Sequence, residues 1–265
     1  MTQDLTTEKL LIDRRDAVTI LIINRPEVRN AVDDETMNAL RAALESCADD
    51  GTRCVVLTGT GGSFSAGADL KKAAMSGFGP DETFRLLTDC YGPTLKAIRS
   101  CPWPVLAAVD GYAAGIGCDM ALACDLRLVS ERGRFAELFI RIGLIPDGGG
   151  TYLLPRIVGT GKALEMILTG EDVDAAEAHR IGLANKVYPT ESFMTDVLGY
   201  AERISKQAPN SLRRGKAALL ASLNSSYEDA LAREAANQRE ILMSEDGMEG
   251  FRAFLEKRPP RWTGR

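Results

Sequence analysis

Five short apolar stretches alternate with helical segments over the first 190 residues of the chain. The stretches are Ala17 to Asn24, Arg53 to Gly59, Pro104 to Asp110, Asp125 to Ser130 and Ala184 to Tyr188. Each is rich in Val, Ile or Leu, as expected of strands that are covered on both faces. The segment from Asp34 to Asp50 opens with acids that favour a helix N-terminus. The alternation predicts an α/β fold with largely parallel strands.

The pattern changes after about residue 190, where only helices are predicted. They cover Glu191 to Gln207, Ser211 to Leu223, Ser226 to Met243 and Gly247 to Glu256. Because this segment has no strand, it must pack on the core, on a neighbouring subunit or on both. We therefore divide the chain into a core domain at residues 1–190 and a C-terminal helical region at residues 191–265.

Composition and charge narrow the functional classes. The chain is 45% hydrophobic and carries a formal net charge of -5, with its Lys and Arg residues spread along the sequence. It has no basic block of the kind that nucleic-acid binding usually needs. Residues Met1 to Asp16 contain no apolar run long enough for a signal peptide or a membrane span. We predict a cytoplasmic protein that binds neither nucleic acid nor a membrane.

The cysteines and the histidine give no metal-binding pattern. The six cysteines include no C-x-x-C pair, which indicates buried free thiols. His179 is the single histidine, so a site with several histidine ligands is excluded, and no other residues have zinc-ligand spacing. We predict no metal site.

Glycines cluster in three places, at Gly59 to Gly67, Gly111 to Gly117 and Gly148 to Gly150. The first cluster lacks the spacing of a dinucleotide-binding loop, and Gly159-Thr-Gly-Lys162 lacks the remainder of a P-loop. Ser65 is not preceded by the glycine of a serine-hydrolase motif. Two loops that follow strands remain, and their free N–H groups could converge on one oxygen. Tight turns and close packing are the alternative explanation for these glycines.

Five motifs occur in a recognisable order. They are Asn24-Arg-Pro-Glu-Val-Arg-Asn-Ala31, Ser63-Phe-Ser-Ala-Gly-Ala-Asp-Leu70, Pro104-Val-Leu-Ala-Ala-Val-Asp-Gly-Tyr112, Ala121-Leu-Ala-Cys-Asp125 and Gly143-Leu-Ile-Pro-Asp-Gly-Gly-Gly-Thr151. Over nearly its whole length the chain resembles the enoyl-CoA hydratase/isomerase (crotonase) superfamily. The resemblance implies a crotonase-like spiral of ββα units and a homotrimer or dimer of trimers assembled through the C-terminal helices. It also implies an acyl-CoA substrate, with no cofactor beyond the CoA moiety of that substrate.

By this resemblance, Ala68 and Ile116 occupy the two positions of an oxyanion hole. Their N–H groups would hold the thioester oxygen as it becomes an enolate oxygen, and fixed donors stabilise such charge without reorganising. The family usually has glycine in place of Ile116. Isoleucine supplies the same N–H if its φ is negative and its branched side chain finds room.

The resemblance also implies a site for the CoA moiety. Main-chain groups of Ala66, Asp69 and Leu70 would surround the adenine, with Val28 nearby. Lys71 would meet a phosphate or the ribose. A solvated surface lysine is the alternative interpretation of Lys71. The walls of the acyl pocket are expected in the stretch from Ala73 to Thr94, for which the sequence offers no further prediction.

Hydratases of this superfamily use two glutamates. The first position corresponds to Asp119, and the second falls on Phe139, which can neither give a proton nor position a water. Phe139 is therefore expected to contact substrate, and hydration by two carboxylates is disfavoured. Glu137 would reach the site only through an altered loop. For Asp119 the alternative is a favourable charge in the first turn of a helix.

Asp147 follows Ile145-Pro146 and precedes three glycines. It could cap the next helix, or it could face the pocket, where apolar surroundings would raise its pKa. An aspartate here resembles the proton-shuttling residue of dienoyl-CoA isomerases and of the phenylacetate-pathway ring-epoxide and enoyl-CoA isomerases. We therefore expect enoyl-CoA isomerisation, with Asp147 as the proton shuttle and Asp119 as a secondary acid/base or water-positioning group. A 2-enoyl-CoA hydratase and a non-catalytic CoA-binding scaffold are the alternatives.

Overall fold

The computed structural model describes residues 5–75 and 79–265. Its strands are β1 (Leu10–Arg15), β2 (Val18–Ile23), β3 (Cys54–Gly59), β4 (Val105–Val109), β5 (Tyr112–Ala114), β6 (Leu126–Ser130), β7 (Arg134–Ala136), β8 (Val173–Asp174) and β9 (Lys186–Tyr188). Its α-helices are α1 (Asp34–Ser46), α2 (Leu70–Met75), α3 (Pro80–Arg85), α4 (Gly92–Ser100), α5 (Ile116–Ala123), α6 (Gly150–Val158), α7 (Thr160–Thr169), α8 (Ala175–Arg180), α9 (Phe193–Ser205), α10 (Pro209–Ser222), α11 (Tyr227–Leu242) and α12 (Glu245–Glu256). Short 3-10 helices cover Pro26–Val28 and Leu138–Ile142, and a π-helical segment covers Leu86–Tyr91.

The larger sheet has the strand order β1-β2-β3-β4-β6-β9. Strand β1 is antiparallel to β2, and each of the other neighbouring pairs is parallel. The five predicted strands are β2, β3, β4, β6 and β9, and their ends lie within two residues of the predicted ends. The predicted α/β fold with largely parallel pairing is confirmed.

Four strands escaped the prediction, namely β1, β5, β7 and β8. Strands β5, β7 and β8 are only two or three residues long and pair with one another in a second, smaller sheet. Strand β1 is an edge strand whose side chains are mostly only partly buried. Such strands are defined by pairing with distant parts of the chain, so a local apolar pattern does not reveal them.

Both faces of the larger sheet are covered. On one face, apolar residues of the strands pack with helices α1, α4 and α5 in the main core. On the other face, Phe193, Val197 and Ala201 of α9 pack against Val18, Leu106 and other strand residues. Burial on both faces explains why the strand sequences are continuously apolar. It also shows that α9, the first helix of the predicted C-terminal region, packs on the core.

A strand–strand–helix unit recurs along the chain. Strand β4 joins the larger sheet, β5 joins the smaller one, and helix α5 follows; β6 and β7 divide between the sheets in the same way. The end of β5 therefore leads directly to the N-terminus of α5 at Ile116, and the end of β7 leads to Glu137. Within the described ranges, no helix combines the length and the apolar character needed to cross a membrane.

Candidate active site

Two loops meet through a parallel bridge between Ser65 and Ala113. The N–H of Ser65 donates to the carbonyl of Tyr112 at 2.9 Å, and the N–H of Ala114 donates to the carbonyl of Ser65 at 3.0 Å. The Ser65 hydroxyl also donates to the carbonyl of Asn30 at 2.8 Å. These bonds hold the loop after β3 against the end of β5, so the positions of both loops are fixed by main-chain geometry.

Ala68 and Ile116, the predicted donors, are brought together on these two loops and line one pocket. Neither N–H donates to another backbone group in the part of the chain that is described. Gly115, which precedes α5, has φ 52 and ψ -128, a conformation that favours glycine. Ile116 itself has a negative φ, as required. As the first residue of α5, it presents its N–H at the positive end of the helix dipole.

The side chain of Ile116 is buried against Gly148, which has no side chain to clash with it. It is 2% exposed, and a Cβ placed on Gly148 would lie 2.4 Å from its Cδ1. The loop that contains Gly148 also carries Asp147. The branched side chain therefore packs against the back of the loop that holds the candidate proton shuttle.

The pocket has a volume of about 510 Å³. Seven of the residues predicted for the site line it: Ala66, Ala68, Asp69, Leu70, Ile116, Phe139 and Asp147. Asp119, Val28 and Lys71 do not belong to this lining, and Lys71 is exposed. Contact of Val28 and Lys71 with CoA stays a prediction.

The stretch that was expected to form the walls of the pocket does line it. From the stretch Ala73 to Thr94, the pocket is lined by Ala73, Glu82, Thr83, Leu86, Leu87 and Tyr91. Residues 76–78 of that stretch lie outside the described residues. Three further apolar residues, Leu138, Ile142 and Leu144, line the pocket from a later part of the chain. The space between these walls suits an apolar acyl chain.

Sequence reasoning missed Lys72, which lines the pocket where its neighbour Lys71 does not. The Lys72 ammonium lies 3.0 Å from Asp33 and 2.7 Å from Asp34. Although burial opposes it, hydrogen bonds from Lys9, Thr36 and Lys72 hold the pKa of Asp33 well below its usual range. Lys9 and Lys72 are far in sequence from Asp33, so no local motif predicts that these charges meet. Asp33 also caps α1 by accepting from the Thr36 N–H, as the acidic start of that helix predicted.

Asp147 faces the pocket and does not cap a helix. Gly149 is the residue that precedes α6, and no side chain caps that helix, so the helix-cap alternative for Asp147 is wrong. The carboxylate remains accessible to solvent within the pocket. The surrounding walls remove part of its hydration and raise the pKa of Asp147 to about 6.

Asp119 lies behind the pocket wall. It is fully buried, and its Oδ2 accepts from the N–H of Gly148 at 2.9 Å. Burial, followed by the charges of Glu137 and Asp147, raises the pKa of Asp119 well above its usual range. A direct acid/base role for Asp119 stays a prediction, since the residue is not part of the pocket lining.

Glu137 is also fully buried and lies beside Asp119. Burial raises its pKa to about 7, with a further contribution from the charge of Asp147, whereas the Cys118 thiol acts in the opposite direction. Glu137 lies behind the pocket wall and does not line the pocket. No sequence feature indicated this buried position, because strand β7, which precedes Glu137, was not predicted.

Known proteins resemble this chain over nearly its full length. The family model described as enoyl-CoA hydratase/isomerase matches residues 13–265. The chain belongs to the enoyl-CoA hydratase/isomerase family. A probable enoyl-CoA hydratase of Rhodobacter capsulatus is 40% identical over 250 residues, which cover 94% of this chain and 96% of that protein. A crotonyl-CoA hydratase of Syntrophomonas wolfei is 34% identical over 253 residues, which cover 95% and 96%.

Solved structures agree with this assignment. The crystal structure of an enoyl-CoA hydratase from Bacillus anthracis matches with a TM-score of 0.93 and 31% identity, covering 97% of this chain and all of that one. The crotonase fold expected from the sequence is therefore shown. The narrower resemblance to phenylacetate-pathway isomerases is not reflected in these names, because the relatives are called hydratases.

In this member of the enoyl-CoA hydratase/isomerase family, an aromatic ring occupies the place expected for a second catalytic glutamate. Phe139 lines the pocket and is 8% exposed. A Cβ placed on Gly115 would lie 3.8 Å from Phe139 Cζ, so the ring borders the Ile116 donor. An apolar ring there can neither hydrogen-bond a water nor supply a proton.

Proposed function

We propose that this protein shifts the double bond of an enoyl-CoA thioester by proton transfer, with Asp147 as the shuttle. One observation carries the proposal: among the described residues, Asp147 is the carboxylate on the pocket lining that has no cationic partner. The other pocket acids lie within 4 Å of a cation, namely Asp33, Asp34, Asp69 and Glu82. An acid with a pKa of about 6 is mostly ionised at neutral pH and can accept a proton there.

The proposed reaction needs one acid and one pair of donors. With a 3-enoyl-CoA substrate, the Asp147 carboxylate takes a proton from the α carbon. The electrons left behind delocalise onto the thioester oxygen, which the N–H groups of Ala68 and Ile116 stabilise. Asp147 then returns the proton to the γ carbon, so the double bond moves to the 2,3 position. No atom or electron is gained or lost, which suits a pocket with one available carboxylate.

The test compares Asp147→Asn with wild type on 3-enoyl-CoA. Loss of the shuttle is expected to lower kcat by about 100-fold to 10,000-fold, the usual contribution of a positioned acid/base. Asp49→Asn is the matched control, because Asp49 is exposed and follows the C-terminal end of α1, whereas the pocket acids Asp33 and Asp34 lie at the N-terminal end of that helix. Undiminished isomerisation by Asp147→Asn would refute the role of Asp147. CoA binding without turnover of any thioester would instead support a scaffold.

Hydration of a 2-enoyl-CoA is the second candidate, and the names of the relatives favour it. A hydratase must activate water and protonate the α carbon, which is usually shared between two carboxylates. Loss of enoyl absorbance with crotonyl-CoA measures this reaction directly. If wild type hydrates crotonyl-CoA faster than it isomerises 3-enoyl-CoA, hydration replaces our first proposal.

Phe139→Glu sharpens the choice between the two reactions. It would place a carboxylate on the pocket lining beside the donors, at the position that the resemblance assigns to the second glutamate. We expect the ratio of hydration to isomerisation to rise by about tenfold or more, because a second acid/base becomes available. Phe139→Gln controls for the loss of the ring. An unchanged ratio in Phe139→Glu would contradict the idea that Phe139 disfavours hydration.

For the assembled state, we propose a trimer or dimer of trimers built through the C-terminal helices. Helix α11 supports this, because none of its residues is buried in the single chain. Leu231, Leu242 and Met243 are exposed on or beside that helix. Exposed apolar residues on a long helix are characteristic of a face that packs against a partner. Sedimentation equilibrium of the full chain tests the proposal, and a monomer at micromolar concentration would overturn it.

A further inference from the structure

Glu137 and Asp119 form a pair of acids behind the pocket loop, the segment that carries Asp147 and Gly148, and neither acid lines the pocket. Both are fully buried. A Cβ placed on Gly150 would lie 2.5 Å from Asp119 Oδ1 and 3.3 Å from Glu137 Oε1, so both oxygens face the same small space. Two carboxyl groups are thus enclosed together at the start of α6.

The hydrogen bonding of this pair is incomplete without a proton between its members. Within the described part of the chain, Asp119 Oδ1 and both carboxyl oxygens of Glu137 accept no well-aligned hydrogen bond, although the Gly150 N–H lies near Asp119 and the Cys118 thiol lies near Glu137. Burying an unpaired charge destabilises the fold, and so does a buried polar atom without a hydrogen-bond partner. A carboxyl group that keeps its proton is neutral and becomes a donor, so the pair holds one buried negative charge instead of two and the neighbouring carboxylate gains a hydrogen bond.

The surroundings of Glu137 favour the protonated form. The ionisable groups that act on it are Cys118 and Asp119 of α5 and Asp147 of the pocket loop, and none of these is a cation. Asp119 already accepts from the Gly148 N–H through Oδ2, so its second oxygen is the one that needs a donor. Glu137 is the neighbouring side chain that can supply this donor.

We propose that Glu137 is a positioning residue that holds a proton and shares it with Asp119 Oδ1, so that the pair fixes the loop carrying Asp147. The chain of contacts runs from Glu137 to Asp119, from Asp119 to the Gly148 N–H, and from Gly148 to the adjacent Asp147. Glu137 touches no substrate in this arrangement. It acts by keeping the Asp147 carboxylate at a fixed distance from the two donors, on which proton transfer depends.

Kinetics of two variants test the role. Glu137→Gln keeps a donor for Asp119 and cannot ionise, so its kcat is expected to stay within about threefold of wild type. Glu137→Ala leaves Asp119 Oδ1 without a donor, so kcat should fall by about tenfold or more while KM changes little. Wild type should lose kcat above neutral pH, where the shared proton leaves and two buried charges repel each other. Glu137→Gln should lack that alkaline decline. Equal impairment of both variants, or an alkaline decline that persists in Glu137→Gln, would overturn the proposal.

Infrared spectroscopy supplies a readout that does not depend on turnover. In the Asp147→Asn background at pH 6, below the pKa of about 7 of Glu137, we expect the carbonyl band of a protonated carboxyl group, lost in Glu137→Gln and retained in Glu45→Gln, whose residue is exposed. A band that survives Glu137→Gln would place the proton elsewhere and overturn the assignment. The kinetic test rests on the proposed function, because it assumes that Asp147 moves the proton. If Asp147→Asn were fully active, the proposed function would fail, while the infrared band would still decide the state of Glu137.

Discussion

The donor side of the pocket is made of main chain, whereas the acid side is made of side chains. The Ala68 and Ile116 donors are held by the bridge between Ser65 and Ala113. The acid side depends on the Asp147 carboxylate. Asp147 lies on a loop that ends in Gly148 to Gly150, and the buried acids Asp119 and Glu137 lie behind that loop. A main-chain N–H does not depend on the side chain, so Ile116 keeps the N–H at a position where the resembled family usually has glycine. A carboxylate is lost when its residue changes. Under our proposal, the donor side would therefore fix the type of intermediate, and the acid side would determine the product.

The strongest test of this contrast removes one main-chain donor. Ile116→Pro eliminates the N–H at the first position of α5, where proline is well accommodated in helices. We expect kcat to fall by about 100-fold to 1,000-fold, as for the loss of one oxyanion donor. Ile116→Ala keeps the N–H and controls for lost packing. Steady-state kinetics and circular dichroism of both variants decide the matter, and equal kcat values would argue against the donor role.

A second test disturbs the contact between the two sides. A Cβ on Gly148 would lie 2.4 Å from Ile116 Cδ1 and 2.6 Å from Asp119 Oδ2, so Gly148→Ala must displace the loop. Because small displacements of catalytic groups are costly, kcat should fall by about 100-fold. Gly161→Ala is the matched control, since a Cβ there meets nothing within 4 Å. If Gly148→Ala and Gly161→Ala had the same kcat, the loop would not need its observed position.

The acid side should also respond to pH. Because Asp147 must be ionised to accept a proton, kcat/KM should decline below its pKa of about 6 and be about tenfold lower at pH 5 than at neutral pH. The same raised pKa makes a prediction for stability. Its contribution is complete below the unfolded-state pKa, near 3.8, and is lost as the pH rises through 6. Asp147→Asn should therefore gain stability relative to wild type above pH 6. A flat profile of kcat/KM from pH 5 to 7 would contradict the first statement, and equal stability of the two proteins in denaturant titrations at pH 8 would contradict the second.

Sequence patterns predicted the parts of the molecule that are local. The apolar runs gave β2, β3, β4, β6 and β9 because each strand is covered on both faces. The ordered motifs gave Ala68, Ile116 and Asp147, all of which line the pocket.

What escaped prediction depends on distant contacts. The pairing of Lys72 with Asp33 joins positions 39 residues apart. Asp119 and Glu137 lie on different elements and meet only after folding, and Asp119 reaches the Gly148 N–H across 29 residues. The burial that raises the pKa of these acids is created by the whole fold, so no spacing in the sequence encodes it.

Ile116 can report on ligand binding in nuclear magnetic resonance spectra. Its amide is one of the two proposed donors, and its Cδ1 methyl group packs under Gly148, next to Asp119. A single residue therefore offers two nuclear magnetic resonance probes. Its amide lies at the proposed site of the thioester oxygen, and its methyl group lies against the loop that carries Asp147 and Gly148. With selective isotope labelling, a thioester ligand that engages only the donors should move the amide resonance. A ligand that also shifts the loop carrying Asp147 and Gly148 should move both the amide and the methyl resonances. Comparing the two resonances would therefore distinguish binding from movement of the catalytic loop.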